Sequence, residues 1–141
     1  MAEIKDIVVI KLGGSTLSEM DNNLKEIAEI YLSGTPLVIV HGGGALISEW
    51  MNKLEIKPAF VDGLRVTDES TIEIVTAILA GLVNKAIVAS VINNNCKAIG
   101  ISGIDNSLFT GELLDDTHGY VGNITNTNSD FIKLLLSNGY I

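Results

Sequence analysis

The sequence predicts an α/β fold: a mostly parallel central sheet with helices on both faces, an αβα sandwich, plus a β-hairpin. Three observations carry this. Residues 7–10 and 37–40 are short, unalternating runs rich in β-branched side chains, the pattern of strands buried on both faces of a parallel sheet. Each run is followed closely by glycines. Beyond the glycines lie stretches with helical apolar spacing, so that strand and helix alternate over the first fifty residues. Such alternation predicts layered packing with right-handed crossovers.

Taken in order, the first strand (7–10) ends at Gly13-Gly14. Residues 21–33 then place Leu24, Ile27, Ile30 and Tyr31 on one side of a helix, with Gly34 as its stop and Pro36 just beyond. The second strand (37–40) runs into a helix over 45–54, with Leu46, Ile47, Trp50 and Met51 facing inward. Residues 55–68 form a connection that contains Pro58, Gly63 and Arg65. A long helix follows over 69–92, capped by Thr67, Asp68 or Ser70. A third buried strand is expected at 97–101. Residues 109–114 and 120–124 form a hairpin joined through Asp115-Asp116-Thr117-His118-Gly119. A last helix, 128–137, is stopped by Asn138-Gly139. Tyr140-Ile141 then begins a further apolar run, so the chain reads as the front part of a longer protein or a naturally shortened one.

The 141 residues suit one domain with one substantial core. With 47% apolar and 18% charged residues, disorder is excluded. A net charge of −8 argues against general nucleic-acid binding, yet one locally positive pocket would still admit a small anion. The single cysteine, Cys96, rules out an internal disulfide and fits a reducing compartment. The N-terminus lacks the basic region, apolar core and cleavage site of a signal peptide, so a cytoplasmic location is expected, where the glycosylation pattern Asn123-Ile124-Thr125 has no meaning. Glu73, Asn84 and Lys85 interrupt the long helix. A membrane span needs about twenty nearly unbroken apolar residues, which makes this a buried helix of a soluble protein. Ala77, Ala80 and Gly81 are small residues at helical spacing that let another helix approach closely, within the subunit or across a dimer interface.

The chemistry lies in the glycines. A strand that ends in glycines and turns into a helix points backbone N–H groups at one spot, where the helix start adds about half a positive charge. Glycine adopts φ > 0 and lets an anion touch the backbone. Gly42-Gly43-Gly44 ahead of the second helix therefore forms a phosphate or carboxylate site. The chain has no P-loop, no G-x-G-x-x-G and no G-x-S-x-G elbow. Lys11-Leu12-Gly13-Gly14 supplies a second glycine turn. In a parallel sheet both turns share the rim where α/β ligands bind, and Lys11 adds a cation there. Two amide nests and a lysine fit phosphoryl transfer, in which catalysis is mostly positioning and charge stabilisation. Arg65, in Gly63-Leu64-Arg65-Val66-Thr67, is the residue type that clamps a carboxylate bidentately.

These motifs resemble the amino-acid kinase family. K-L-G-G-S near the N-terminus, V-I-V-H-G-G-G and F-V-D-G-L-R-V-T carry the likeness, with G-I-S-G-I-D, G-Y-V-G-N-I and the closing N-G-Y-I extending it over essentially the whole chain. G-L-R-V-T points to the branch that acts on N-acetyl-L-glutamate. The resemblance implies ATP-dependent phosphorylation of the side-chain carboxylate to an acyl phosphate, in arginine biosynthesis. It implies that Lys11 is catalytic and neutralises charge on the transferring phosphoryl group, and that Gly13 and Gly14 hold ATP phosphates. Gly43 and Gly44 would donate to substrate and phosphoryl oxygens, and Arg65 would grip the α-carboxylate. Mg-ATP is the implied co-substrate, its metal held mainly by the nucleotide phosphates, and a homodimer through the long helix is implied. Family members are about twice as long, so residues 1–141 resemble the N-terminal, amino-acid-binding domain without the C-terminal nucleotide-binding domain, a half expected to be weakly active or inactive alone. The rival readings are a kinase acting on carrier-bound aminoadipate or glutamate, and a non-catalytic amino-acid sensor that signals through the dimer helix.

Among the remaining residues, His41 reads as a loop holder rather than a catalytic group, and His118 as a solvated turn residue. Cys96 reads as structural. Asp105 and Asp115-Asp116 read as loop and turn residues, and Asp62 as a neighbour that orients Arg65.

Overall fold

The computed structural model describes residues 6–13 and 20–141. Strand β1 (Val8–Leu12) pairs in parallel with β2 (Leu37–His41), in the register Val8 to Leu37 through Leu12 to His41. Helix α1 (Met20–Leu32) makes the connection between them, and Gly34, at φ 94°, turns the chain where the sequence placed the stop. Helix α2 (Gly44–Lys53) follows β2 directly. The two-residue strands β3 (Phe60–Val61) and β4 (Leu64–Arg65) form a tight antiparallel pair that carries Arg65.

Helix α3 is one continuous rod over Glu69–Asn93. Of the three capping candidates, Asp68 is the cap: its Oδ1 accepts from Thr71 N at 2.8 Å and from Ser70 Oγ at 2.9 Å. These bonds from Thr71, and then Ser70, hold the Asp68 carboxyl below its ordinary pKa. The middle of α3, Ala77–Val83, is π-helical. Buried positions along the rod run Thr71, Ile78, Val83, Ile87 and Val91, with a step of five across the π segment where an α-helix would step four. Leu82 is consequently 47% exposed while Val83 is buried. By length and hydropathy alone α3 would suffice to span a membrane, but Ile78, Val83, Ile87 and Val91 belong to the core.

That core joins α1, β2, α2 and α3. Leu24, Leu37 and Met51 are its fully buried large side chains, each contributing about 1.5–3 kcal/mol through removal from water. Ile47 and Met51 of α2 are buried as the spacing predicts, with Leu46 and Trp50 packed against the edge.

Two expectations change. The first run is not covered on both faces: Val9 is 64% exposed and Val8 38%, because among the described residues β1 has one neighbour, β2. Among the described residues the parallel sheet is accordingly two strands wide, and the other two strand pairs are antiparallel. Residues 97–101 form no strand. A ladder needs a partner along its length, and among the described residues the main chain here pairs only with Ile141, with Ile99 N donating to Ile141 O at 3.0 Å and Ile141 N to Lys97 O at 2.9 Å.

A short 3₁₀ turn, Asp105–Ser107, leads into the hairpin β5 (Phe109–Leu113) and β6 (Gly122–Thr127). The Asp105 carboxylate accepts from Ser102 N and Oγ at 2.6 and 2.8 Å, which lowers its pKa. Helix α4 (Ser129–Ser137) ends at Gly139, φ 74°, and Tyr31 Oη donates to Gly139 O at 2.6 Å, tying α1 to this end of the chain.

Candidate functional site

The site is assembled at the C-terminal rim of the parallel pair. Leu12 lies opposite His41, and Gly42 N donates to Leu12 O at 3.2 Å. Gly13 and the Gly42–Gly44 turn therefore leave the sheet side by side. Gly14 lies outside the described residues. Lys11, paired with Val40 one step back from the rim, is exposed, on the face opposite the buried Leu12.

Helix α2 starts inside the glycine run, with Gly43 as its N-cap and no side-chain cap. Its first amides have no intrahelical acceptors, so they are available to an anion, assisted by the helix dipole. The three glycines serve different ends. A Cβ on Gly43 would stand 2.7 Å from Leu79 Cδ2 and 3.4 Å from Val83 Cγ2, so the glycine lets the loop lie close on the π segment of α3, where a side chain would make Leu79 shift. Gly42 and Gly44 face open space, so a ligand could approach the main chain there.

Arg65 reaches this helix start from β4. Its Nη2 donates to Gly44 O at 3.2 Å and to Ser48 Oγ at 2.8 Å, and its Nη1 to Met51 Sδ at 3.2 Å. The guanidinium lies 4.7 Å from the Phe60 ring centroid, a cation–π distance. Burial lowers its pKa from the ordinary arginine value, but arginine remains charged at neutral pH. Asp62 is not among its hydrogen-bond partners; α2 orients the arginine instead.

Two further groups hold the frame. Asn84, buried in α3, donates through Nδ2 to His41 Nε2 at 3.2 Å and to Ile101 O at 3.4 Å, and its Oδ1 accepts from Lys85 Nζ at 3.0 Å. His41 Nε2 is thus an acceptor, which leaves Nδ1 as the protonated nitrogen facing Gly42 O at 3.1 Å. Lys85 Nζ also donates to Gly100 O at 2.9 Å, and Gly100 has no room for a Cβ against the Asn84 amide. Sequence reasoning treated Asn84 only as an interruption of an apolar helix; a lone amide between Val83 and Ile87 was the available signal.

On the other side of Arg65, His118 is buried rather than solvated, at 5% exposure. Its Nδ1 meets the Asp115 carboxylate at 2.8 and 2.9 Å, and its Nε2 faces Val61 O at 3.3 Å. Two acceptors on the two ring nitrogens suit the imidazolium form, and the Asp115 hydrogen bond, then the Val61 carbonyl, raises the His118 pKa. Asp115 is correspondingly lowered. Thr67 N donates to His118 O at 3.0 Å, Tyr120 N to Thr67 O at 2.7 Å, and Thr67 Oγ1 to Arg65 O at 3.0 Å. The β5–β6 turn is thereby docked onto the arginine loop.

The family profile described as the amino acid kinase family matches residues 6–141. The chain belongs to the amino acid kinase family. Among its relatives, the chain is 46% identical over 130 residues to an acetylglutamate kinase of Dehalococcoides mccartyi strain BAV1, covering 92% of this chain and 48% of the relative. It is 46% identical over 140 residues to the acetylglutamate kinase of Prochlorococcus marinus subsp. pastoris MED4, covering 95% and 49%. The chain thus spans about half the length of the curated relatives it matches. Among solved structures it is similar to smu.665 from Streptococcus mutans UA159, with a TM-score of 0.89 and 32% identity over 97% of this chain and 57% of that one. It also shares the fold of an N-acetylglutamate synthase from Neisseria gonorrhoeae solved with coenzyme A and N-acetyl-glutamate, at TM-score 0.77 and 21% identity, covering 96% and 32%. In this family member the fold brings Gly13, Gly43, Gly44 and Arg65 to one end of the parallel pair.

Proposed function

We propose that the chain is the amino-acid-binding, N-terminal half of an N-acetylglutamate kinase, an enzyme that phosphorylates the side-chain carboxylate of N-acetyl-L-glutamate with Mg-ATP. The observation that carries this reading is the Arg65 guanidinium held over the start of α2 by Gly44 O and Ser48 Oγ, in a chain 46% identical to acetylglutamate kinases. A fixed guanidinium beside free helix amides offers two anion sites a few ångströms apart, which suits a dicarboxylate.

In this reading Arg65 takes the α-carboxylate. The Gly43 and Gly44 amides take the reacting carboxylate and phosphoryl oxygens, while Gly13 and Gly14 approach the ATP phosphates. Lys11 neutralises charge on the phosphoryl group in transit. A side-chain carboxylate oxygen attacks the γ-phosphorus, the bond to the β–γ bridging oxygen breaks, and ADP leaves with that electron pair. An ionised carboxylate needs no general base, in keeping with a site built from amides and cations. The metal travels with the nucleotide phosphates. The wider αβα sandwich, a nucleotide-binding second domain, a homodimer through the small-residue stretch of α3 and a cytoplasmic location complete the proposal.

Calorimetry with N-acetyl-L-glutamate and Mg-ATP as separate titrants tests it. Saturable binding of the amino acid that Arg65→Ala abolishes supports the reading. Absence of that binding, or robust ATP turnover by residues 1–141 alone, refutes the half-site assignment.

A further inference from the structure

The loop that carries Arg65 is fastened to the β5–β6 turn on both sides of the arginine. Upstream, Val61 O of β3 faces His118 Nε2 at 3.3 Å. Downstream, Thr67 N donates to His118 O at 3.0 Å and Tyr120 N to Thr67 O at 2.7 Å, and a Cβ on Gly119 would collide with Thr67 O, so the turn lies directly against the loop. The two fastenings differ in kind. The downstream one is made of main-chain amides, which do not titrate. The upstream one runs through an imidazole, which does. Val61 adjoins Phe60, which pairs with Arg65 across β3 and β4 and sets its ring 4.7 Å from the guanidinium. The titrating link therefore acts next to the residue that the arginine packs on.

His118 is 5% exposed, and each of its ring nitrogens has an acceptor: the Asp115 carboxylate at Nδ1, 2.8 and 2.9 Å away, and Val61 O at Nε2. Only the doubly protonated ring donates to both. A neutral ring keeps its one proton on Nδ1, against the charged acceptor, because a charge-assisted hydrogen bond is the stronger of the two. It then turns a lone pair toward Val61 O. Loss of the proton thus breaks the link to β3 and spares the one inside the turn. The charged groups acting on the ring are Asp115 of its own turn and Asp62 between β3 and β4, and both favour the proton. Asp68, at the entry to α3, is engaged with Thr71 and Ser70, and the Arg65 guanidinium is turned toward α2. We infer that His118, while doubly protonated, is a positioning residue for Arg65: it latches the β5–β6 turn to β3, and release of its proton loosens the arginine loop and weakens the grip on the substrate α-carboxylate. The inference rests on the proposed role of Arg65 in binding N-acetyl-L-glutamate.

Calorimetry of N-acetyl-L-glutamate binding to residues 1–141, from about pH 6 to about pH 9, tests this, since the carboxylates of the ligand stay ionised over that range. Wild-type affinity is expected to fall about three- to tenfold as pH rises, the scale of one net hydrogen bond. In His118→Gln, whose amide does not titrate, the fall should vanish. His41, the other histidine, is present in both proteins, so the difference between them belongs to His118. Asp115→Asn can still accept from Thr117 N and His118 N but no longer holds the proton, and it should move the fall to lower pH. Should either variant fail to fold, the wild-type ring answers the same question. Linkage is reciprocal, so saturation with N-acetyl-L-glutamate must raise the His118 pKa read from its ring proton resonances. A flat wild-type profile, an equal fall in His118→Gln, or a ring pKa that saturating ligand does not raise would overturn the inference and leave the proposed function standing. Absence of saturable binding at every pH would instead remove the proposed function, and the inference with it.

Discussion

Asn84 of α3 donates to His41 at the end of β2, so one buried amide joins the long helix to the glycine turn that it packs beneath. Removing the amide leaves Ile101 O and Lys85 Nζ each short of a partner. Asn84→Ala is expected to lower stability by about 1–3 kcal/mol and to weaken N-acetyl-L-glutamate binding by loosening the turn. Urea unfolding with parallel calorimetry checks both; an unchanged unfolding midpoint would show that the network carries no weight.

Gly43 and Gly44 separate packing from binding. Gly43→Ala brings a methyl against Leu79 and Val83 and should destabilise the fold by about 1–3 kcal/mol through overpacking. Gly44→Ala meets open space at the first position of a helix. It should leave the melting temperature unchanged or slightly raised while reducing affinity for the anionic substrate. Thermal melts should therefore separate the two variants, with only Gly43→Ala lowered, while binding isotherms should report a loss of affinity in both.

Arg65→Lys keeps the charge but loses the fork that spans Gly44 O and Ser48 Oγ. A charge-assisted hydrogen bond is worth about 1.5–3 kcal/mol, so N-acetyl-L-glutamate affinity should fall roughly 10- to 150-fold. Wild-type affinity in the lysine variant would show that the arginine is structural.

The His118–Asp115 pair predicts a pH-dependent dock. The folded pKa of His118 is raised above its ordinary 6.5, so its contribution is fully present below 6.5 and is lost as pH rises through the folded value. Asp115 is lowered from 3.8, so its contribution is present above 3.8 and is lost as pH falls through its folded value. The stability advantage of wild type over His118→Gln should thus peak on the acidic side of neutrality and shrink above pH 6.5. An advantage that grows with pH would contradict the imidazolium assignment.

The glycine rim was legible in the sequence because a missing side chain is itself a one-dimensional signal, and a glycine run between strand and helix admits few geometries. Arg65 was legible as an arginine in the connection ahead of the long helix, but not its supports, since Ser48 and Met51 look like ordinary helix residues until β4 is laid across α2. His118 was misread because its second acceptor, Val61 O, lies 57 residues away and no local pattern announces it. The run at 97–101 was recognisable as extended and apolar, yet strand status depends on a neighbour along its length. The π segment escaped notice because Ala77–Val83 is apolar throughout, and a uniformly apolar run shows no break in period.

That segment has a consequence for how the chain tolerates length change. The wider turn accommodates one surplus residue, which lets Ile78 and Val83 face the core across a five-residue step. Deleting one residue from Ala77–Val83 would let the rod relax to ordinary α pitch while Asn84, Ile87 and Val91 kept their heading. The same deletion a turn later, past Asn84, would swing Ile87 and Val91 out of the core by about 100°. Single-codon gaps in α3 should therefore be accepted at its waist and rejected beyond it.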